Sequence, residues 1–332
     1  MIPALLALLH WFFSIFLFPF IQLLGVGMVL LLVVAALSPF ESLGWWAGWF
    51  GHPAGKKISV PVQEPTETQR TEETAHYLVY LSGIGAISGD YLEPTEIELC
   101  DELAARFPGT VVVKNVFPYA MNNRGLTGHR IFSSLWRGIE RLKIEGKERL
   151  LPNLINIRNL FQMVVSADLR YGPIYNYGTA EVIRDELLRH GYRMGSGTPV
   201  SVIGYSGGGQ IALGAATYLK DLLGGAPLWI ISLGGVMADD PGLNHIEHLY
   251  HLYGTRDPVQ KIGAIAYAGR WPWFIHSPWN RARAQGKITM IALGPIGHTG
   301  SKGYFSATSR LENGQRFLDR SIEAISEVLE QQ

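Results

Sequence analysis

The sequence predicts an α/β fold built on a mostly parallel sheet, and three observations carry that expectation. From His76 onward, short runs of β-branched and aromatic residues alternate with helical patterns. One of these runs, PVSVIGYSGGGQIALGAATYL from Pro199 to Leu219, passes from strand to helix through a serine set between glycines. The chain then closes on an amphipathic stretch, LENGQRFLDRSIEAISEVLE. With 332 residues, 17% charged and 11% aromatic, it has the composition of a globular protein and room for one large domain plus extra segments.

The elements are taken in order from the N-terminus. Residues 2–38 form an almost continuous apolar run without Asp, Glu, Lys or Arg. A bilayer core takes roughly 20 apolar residues per helical crossing, so the run is long for one span and barely sufficient for two. Two arrangements remain open: a helical hairpin turning near Pro19, or one span from about Phe20 to Leu37 after an interfacial segment. No basic stretch precedes the run, which reads as a retained anchor rather than a cleaved signal peptide. Trp45, Trp46, Trp49 and Phe50 suit the headgroup level, and Lys56 and Lys57 point to a cytoplasmic side for the hydrolase-length remainder of the chain. The anchor is thus expected over residues 1–55 and a polar linker over 56–75, with the folded domain at 76–332.

In the domain, HYLVYLSG reads as a strand, PTEIELCDELAARF as a helix and TVVVKNVFPY as a strand. An insertion of about residues 120–170 comes next, carrying Phe132, Leu135, Trp136, Ile139 and Leu142 among many basic residues. Such a stretch packs on the domain as a lid or lies on anionic lipid. Beyond it are a helix around GTAEVIRDELLRHGY, the strand and turn at Ser206, and the strands PLWIISLGGV, HIEHLYHLYG and KITMIALG before the closing helix. A further segment, GRWPWFIHSPWNRARAQGK, sets Trp271, Trp273, Phe274 and Trp279 beside Arg270, Arg281 and Arg283, and suits an acyl pocket or the bilayer interface.

Charge and cysteine usage exclude several functions. The 28 basic and 28 acidic residues cancel, so no global field favours nucleic acid. Cys100 is the sole cysteine, which rules out an internal disulfide, and it sits in a helical pattern as a buried structural thiol. His245, His248 and His251 pass into a strand, where positions three apart point to opposite faces, so no metal is expected. GIGAISGD lacks the spacing of a dinucleotide loop and no phosphate-binding loop is present, so no cofactor is expected.

The turn Gly204-Tyr205-Ser206-Gly207-Gly208 makes Ser206 a candidate nucleophile. A serine hydroxyl attacks poorly at neutral pH unless it is exposed, fixed and paired with a base. A sharp strand-to-helix turn supplies the first two conditions, with Ser206 at a strained positive φ and glycines letting strand and helix close up. The helix starting after Ser206 aims free N–H groups and its positive dipole end at developing negative charge.

Over about residues 76–330 this succession resembles the α/β-hydrolase fold. The resemblance implies Ser206 as nucleophile, His298 in GPIGHTGS as general base and then acid, and Asp257 in YGTRDPV as the carboxylate that orients the histidine. Asp239 and Asp240 in GGVMADDPG are the alternative acids. It also implies an oxyanion hole from the backbone N–H of Gly207 with Ile84, and Gly85 next, in LSGIGAISGD, where Ser82 replaces the family's usual histidine. The activity implied is hydrolysis of an ester or thioester, with a small-molecule or lipid ester as substrate and the bilayer as partner. Acyl transfer through the same residues is one alternative, and a non-catalytic tethered interaction protein is the other.

Overall fold

Six strands form one parallel sheet in the order β2-β1-β3-β4-β5-β6. They are β1 (His76–Leu81), β2 (Thr110–Val113), β3 (Val200–Tyr205), β4 (Leu228–Leu233), β5 (His248–Tyr253) and β6 (Ile288–Ala292). The longer helices are α1 (Pro94–Arg106), α2 (Pro152–Ala167), α3 (Gly172–Arg189), α4 (Gly207–Leu222), α5 (Lys261–Ala266), α6 (Pro278–Ala284) and α7 (Phe317–Leu329). This computed structural model describes residues 74–120 and 152–332, together with isolated positions between Phe18 and Phe40. The aromatic segment, almost all of the linker, most of the apolar run and the first part of the insertion lie outside the described residues. Among the described residues, no helix is long and apolar enough to cross a membrane.

Helices cover both faces of the sheet, which is why its strands read as continuous apolar runs. Tyr77, Val79 and Leu81 of β1 share one core with Ile183 and Leu187 of α3 and with Ile211 and Ala215 of α4. Leu78 and Tyr80, pointing the other way, join Leu99 and Leu103 of α1 and Ile322 and Ile325 of α7.

Strand order positions the site. From β1 the chain moves to one side for β2, then crosses back to lay β3 on the other side. The loops leaving β1 and β3 therefore diverge at the carboxyl end of the sheet and open a crevice there. Glycine allows the close approach beneath it. A Cβ on Gly204 would stand 2.5 Å from the Gly208 carbonyl oxygen, and one on Gly208 would stand 2.6 Å from that of Leu81.

Several elements differ from expectation. β2 stops at Val113 instead of running to Tyr119, and the segment after it buries Phe117 and Tyr119. Pro118, lacking an N–H, suits that departure from the ladder. α3 begins at Gly172, where the Gly172 N–H donates to the Asp168 carbonyl, and α7 begins only at Phe317, after a turn closed by the Leu311 N–H and Gln315 carbonyl.

α2, the described end of the insertion, inverts the usual pattern. It buries Arg158, Asn159, Gln162 and Ser166, while Leu160, Phe161 and Val164 are 42%, 38% and 47% exposed.

Gly208→Ala is expected to cost about 1–3 kcal/mol through overpacking against the β1 carbonyls. Gly109→Ala, whose Cβ would meet Ala75 Cβ at 3.6 Å, is expected to stay within ~0.5 kcal/mol. Urea midpoints read both, and equal midpoints would refute the tight contact.

Candidate active site

Ser206 occupies the junction between β3 and α4 with φ 52° and ψ −121°. Among the described residues it is the sole non-glycine at positive φ. Such a conformation costs on the order of 1–3 kcal/mol and persists only where the surroundings impose it. Here the Ser206 N–H donates to the Leu233 carbonyl at 3.0 Å, and its own carbonyl accepts from Gly209 N–H at 3.1 Å and Val236 N–H at 3.2 Å. The hydroxyl thus stands at the crevice, directly before the N-terminus of α4.

Two loops from the carboxyl end of the sheet meet it. His298, after β6, has Nε2 at 2.8 Å from Ser206 Oγ. Asp257, after β5, has Oδ2 at 2.8 Å from His298 Nδ1. Burial alone would raise the Asp257 carboxyl, but hydrogen bonds from His298 and Tyr304, with others, hold it below the usual carboxylate range. An ionised Asp257 only accepts, so Nδ1 carries the proton and Nε2 is left to accept from the serine hydroxyl.

Asp257 is itself held on every side. Tyr304 OH donates to Oδ2 at 2.7 Å and accepts from the Gly254 N–H at 2.9 Å. Val259 N–H donates to Oδ1 at 2.8 Å. Gly234, at φ 57°, leaves room for the Tyr304 ring, which a Cβ there would strike. Tyr205, the residue before Ser206, donates its OH to the His298 carbonyl at 2.8 Å and stacks on its ring at 5.5 Å between centroids.

The alternative acids are placed elsewhere. Asp240 accepts from Gln210 Nε2 at 2.9 Å and from Gly242 N–H at 2.8 Å, capping a short 3-10 turn. Asp239 lies against Gly269, where its carboxylate occupies the space a Cβ would take. Of the three aspartates, Asp257 is the one hydrogen-bonded to His298.

The loop after β1 folds over the junction. The Ala86 N–H bonds to the Gly83 carbonyl at 2.9 Å, which makes Ile84 and Gly85 the central residues of a tight turn. A Cβ on Gly207 would approach Ile84 Cγ2 to 2.7 Å, so this turn and the start of α4 are in contact. The Gly207 N–H, at the first position of α4, has no intrahelical acceptor.

Sequence reasoning missed what holds that turn. Asn159 of α2, fully buried, donates from Nδ2 to the Ile84 carbonyl at 2.8 Å and to the Ala86 carbonyl at 2.9 Å. Its Oδ1 accepts from Arg158 Nη1 at 2.8 Å, and the same nitrogen donates to the Tyr119 carbonyl at 3.1 Å. Because a trans peptide points its N–H opposite its C=O, anchoring the Ile84 carbonyl also sets the direction of the Gly85 N–H. A polar stripe at Arg158, Asn159, Gln162 and Ser166, recurring at helical spacing, was the available signal.

Beside His298 a cavity of about 440 Å³ is lined by Tyr91, Glu93, Thr95, Asn156, Tyr205 and Phe305, among others. Cys100 is buried away from it and burial pushes its thiol up to about 12, the setting of an inert structural cysteine. His248 stacks near Tyr250 and His251 near Tyr253, on opposite faces of β5.

No protein-family model matches the chain, and no curated protein matches it in sequence. Among solved structures it is similar to a hyperthermophilic esterase from the archaeon Pyrobaculum calidifontis, at 14% identity and TM-score 0.39, over 78% of this chain and 79% of that one. A monoclinic form of the Pyrobaculum calidifontis esterase gives 13% identity and TM-score 0.39, over 78% of each chain. An uncharacterized protein from Pseudomonas aeruginosa is 16% identical at TM-score 0.23, over 58% of this chain and 37% of that one.

Replacing Asn159 with Leu strands two buried carbonyls and is expected to cost about 2–4 kcal/mol, read as a lowered urea midpoint. An unchanged midpoint would show that the turn does not rely on it.

Acid is expected to destabilise the domain. Burial lowers His76 and His251 from 6.5 to about 4, so between those values the unfolded chain takes up two protons that the folded one refuses. Asp240, raised by burial to about 6, acts in the opposite sense: its contribution is present below 3.8 and lost as pH rises through 6. Two groups oppose one, and the denaturation midpoint should fall from pH 6.5 to 4, with a shallower slope in His251→Asn.

Proposed function

We propose that this chain is a membrane-tethered serine hydrolase that cleaves a carboxylic ester or thioester with an acyl or lipid-like substrate. One observation carries the reading: an unbroken hydrogen-bond chain from Ser206 Oγ through both His298 nitrogens to Asp257, built on a strained turn. Folds do not preserve backbone strain beside an aligned base without a use for it.

In this mechanism Ser206 Oγ attacks the acyl carbonyl while His298 Nε2 takes the hydroxyl proton. Asp257 stabilises the imidazolium through Nδ1–H, and Tyr304 keeps the carboxylate oriented. The negative oxygen of the tetrahedral intermediate is met by the backbone N–H of Gly207, together with a donor from the Ile84–Gly85 turn. Collapse breaks the bond to the leaving group, which departs with the proton from His298 and leaves an acyl-Ser206 ester. Water, deprotonated by the same imidazole, then releases the acid. Since His298 protonates the leaving group, the cavity beside it suits the alcohol or thiol portion. The tether rests on residues 2–38, whose length and lack of charge fit one or two crossings.

A fluorophosphonate probe is expected to label the protein, and Ser206→Ala to abolish labelling; a mutant that still labels sinks the assignment. Across ester and thioester chain lengths, Asp257→Asn is expected to lower kcat ~10⁴-fold by favouring the wrong tautomer. Tyr304→Phe is expected to lower kcat about tenfold, the worth of one hydrogen bond. Loss of the same size in all three variants would argue for unfolding rather than separate roles.

A further inference from the structure

The segment from α5 to α6 presents an apolar surface that the proposed chemistry does not use. Ile265 is 71% exposed, Trp273 70% and Ile275 63%, with Ile262, Phe274 and Trp271 exposed beside them. Isolated apolar side chains at a surface need no explanation, but a contiguous aromatic and aliphatic cluster does.

The cluster is held rigidly. Trp271 packs edge-on against Trp273 at 5.6 Å between centroids, and its Nε1 donates to the Ala264 carbonyl of α5 at 2.9 Å. Asn280 Nδ2 donates to the carbonyls of Gly269, Trp271 and Phe274 at 3.1, 2.8 and 3.0 Å. The Arg270 guanidinium lies 3.7 Å over the Trp279 ring and donates to the Met237 carbonyl at 2.9 Å. This framework is satisfied internally while its large apolar side chains face outward.

Charge identifies what would cover it. Residues 258–311 contain no Asp or Glu and seven Lys or Arg, in a chain whose formal charge is zero. Arg281 and Arg283 on α6 and Lys261 on α5 stand in that stretch. Tryptophan, phenylalanine and isoleucine beside exposed basic groups are the composition of a surface that inserts shallowly into an anionic interface. Met237, which ties this segment to the loop after β4, lies at the carboxyl end of the sheet, as Ser206 does.

We propose that the face formed by α5 and residues 267–283 docks on an anionic lipid bilayer and so turns the carboxyl end of the sheet, with Ser206, toward the membrane. It rests on the proposed tethering of the chain to a bilayer and not on hydrolysis. Docking adds to an anchor what an anchor alone lacks, a fixed orientation of the catalytic end. A lipid-like ester would then reach Ser206 from the bilayer surface.

The test uses the full chain with vesicles of phosphatidylcholine, with and without phosphatidylserine. The sole native cysteine is buried, so a nitroxide can be placed through Ile265→Cys or Trp273→Cys, with Met194→Cys in the loop before β3 as a remote reference. The expected result is that labels at 265 and 273 become severalfold more accessible to oxygen than to a water-soluble nickel chelate when phosphatidylserine is present, while 194 stays accessible to the chelate. Arg281→Glu with Arg283→Glu should remove the dependence on phosphatidylserine. A chain that floats with vesicles while both labels remain open to the chelate overturns the docking face and leaves the anchor standing. Labels shielded from both reagents would show protein covering the face and overturn it too. Failure to float with either vesicle overturns face and anchor together, and activity on a soluble ester, measured in parallel, reports separately on the hydrolase reading.

Discussion

The arrangement depends on the backbone of Ser206, held at φ 52° where β3 becomes α4. A left-handed serine is affordable only because three hydrogen bonds clamp its peptide groups and glycines let β1, β3 and α4 close around it. That clamp lifts the hydroxyl to the crevice where the strand order reverses, and it places Tyr205 under His298. The same turn thus presents the proposed nucleophile and supports the loop bearing its base.

Around that point, polar groups are buried in order to fix geometry. Tyr304 bridges the Gly254 N–H and Asp257, so the carboxylate meets His298 from one direction. On the other side of Ser206, Arg158 and Asn159 run from α2 to the turn at Ile84. Buried networks of this kind are worth having only when their members are satisfied, because each stranded group costs desolvation. Their rigidity is what electrostatic stabilisation of a transient oxyanion requires.

The carboxyl end of the sheet therefore gathers the crevice, the cavity beside His298 and an exposed aromatic face with no acidic residue between 258 and 311. This clustering arises from parallel topology, which sends every strand's C-terminal loop to one end. A substrate arriving from a bilayer would meet all three together.

Alternating strand and helix patterns made the class of fold legible, since parallel strands buried on both faces show as apolar runs. The glycines around Ser206 announced a strained turn, because few other residues let backbones come so close. The order of Asp257 and His298 after successive strands was readable too, but the choice against Asp239 and Asp240 was not, for all three come after strands in turn-like sequence. Only the tertiary structure decided it, by sending Asp240 to cap a turn and Asp239 to Gly269 while Asp257 reaches His298. The same holds for α2, whose apolar residues suggested a face turned inward, whereas its buried face is polar. Sequence periodicity reports where a helix is apolar; which face is buried depends on what the neighbouring loop must be given, and the carbonyls of Ile84 and Ala86 need donors.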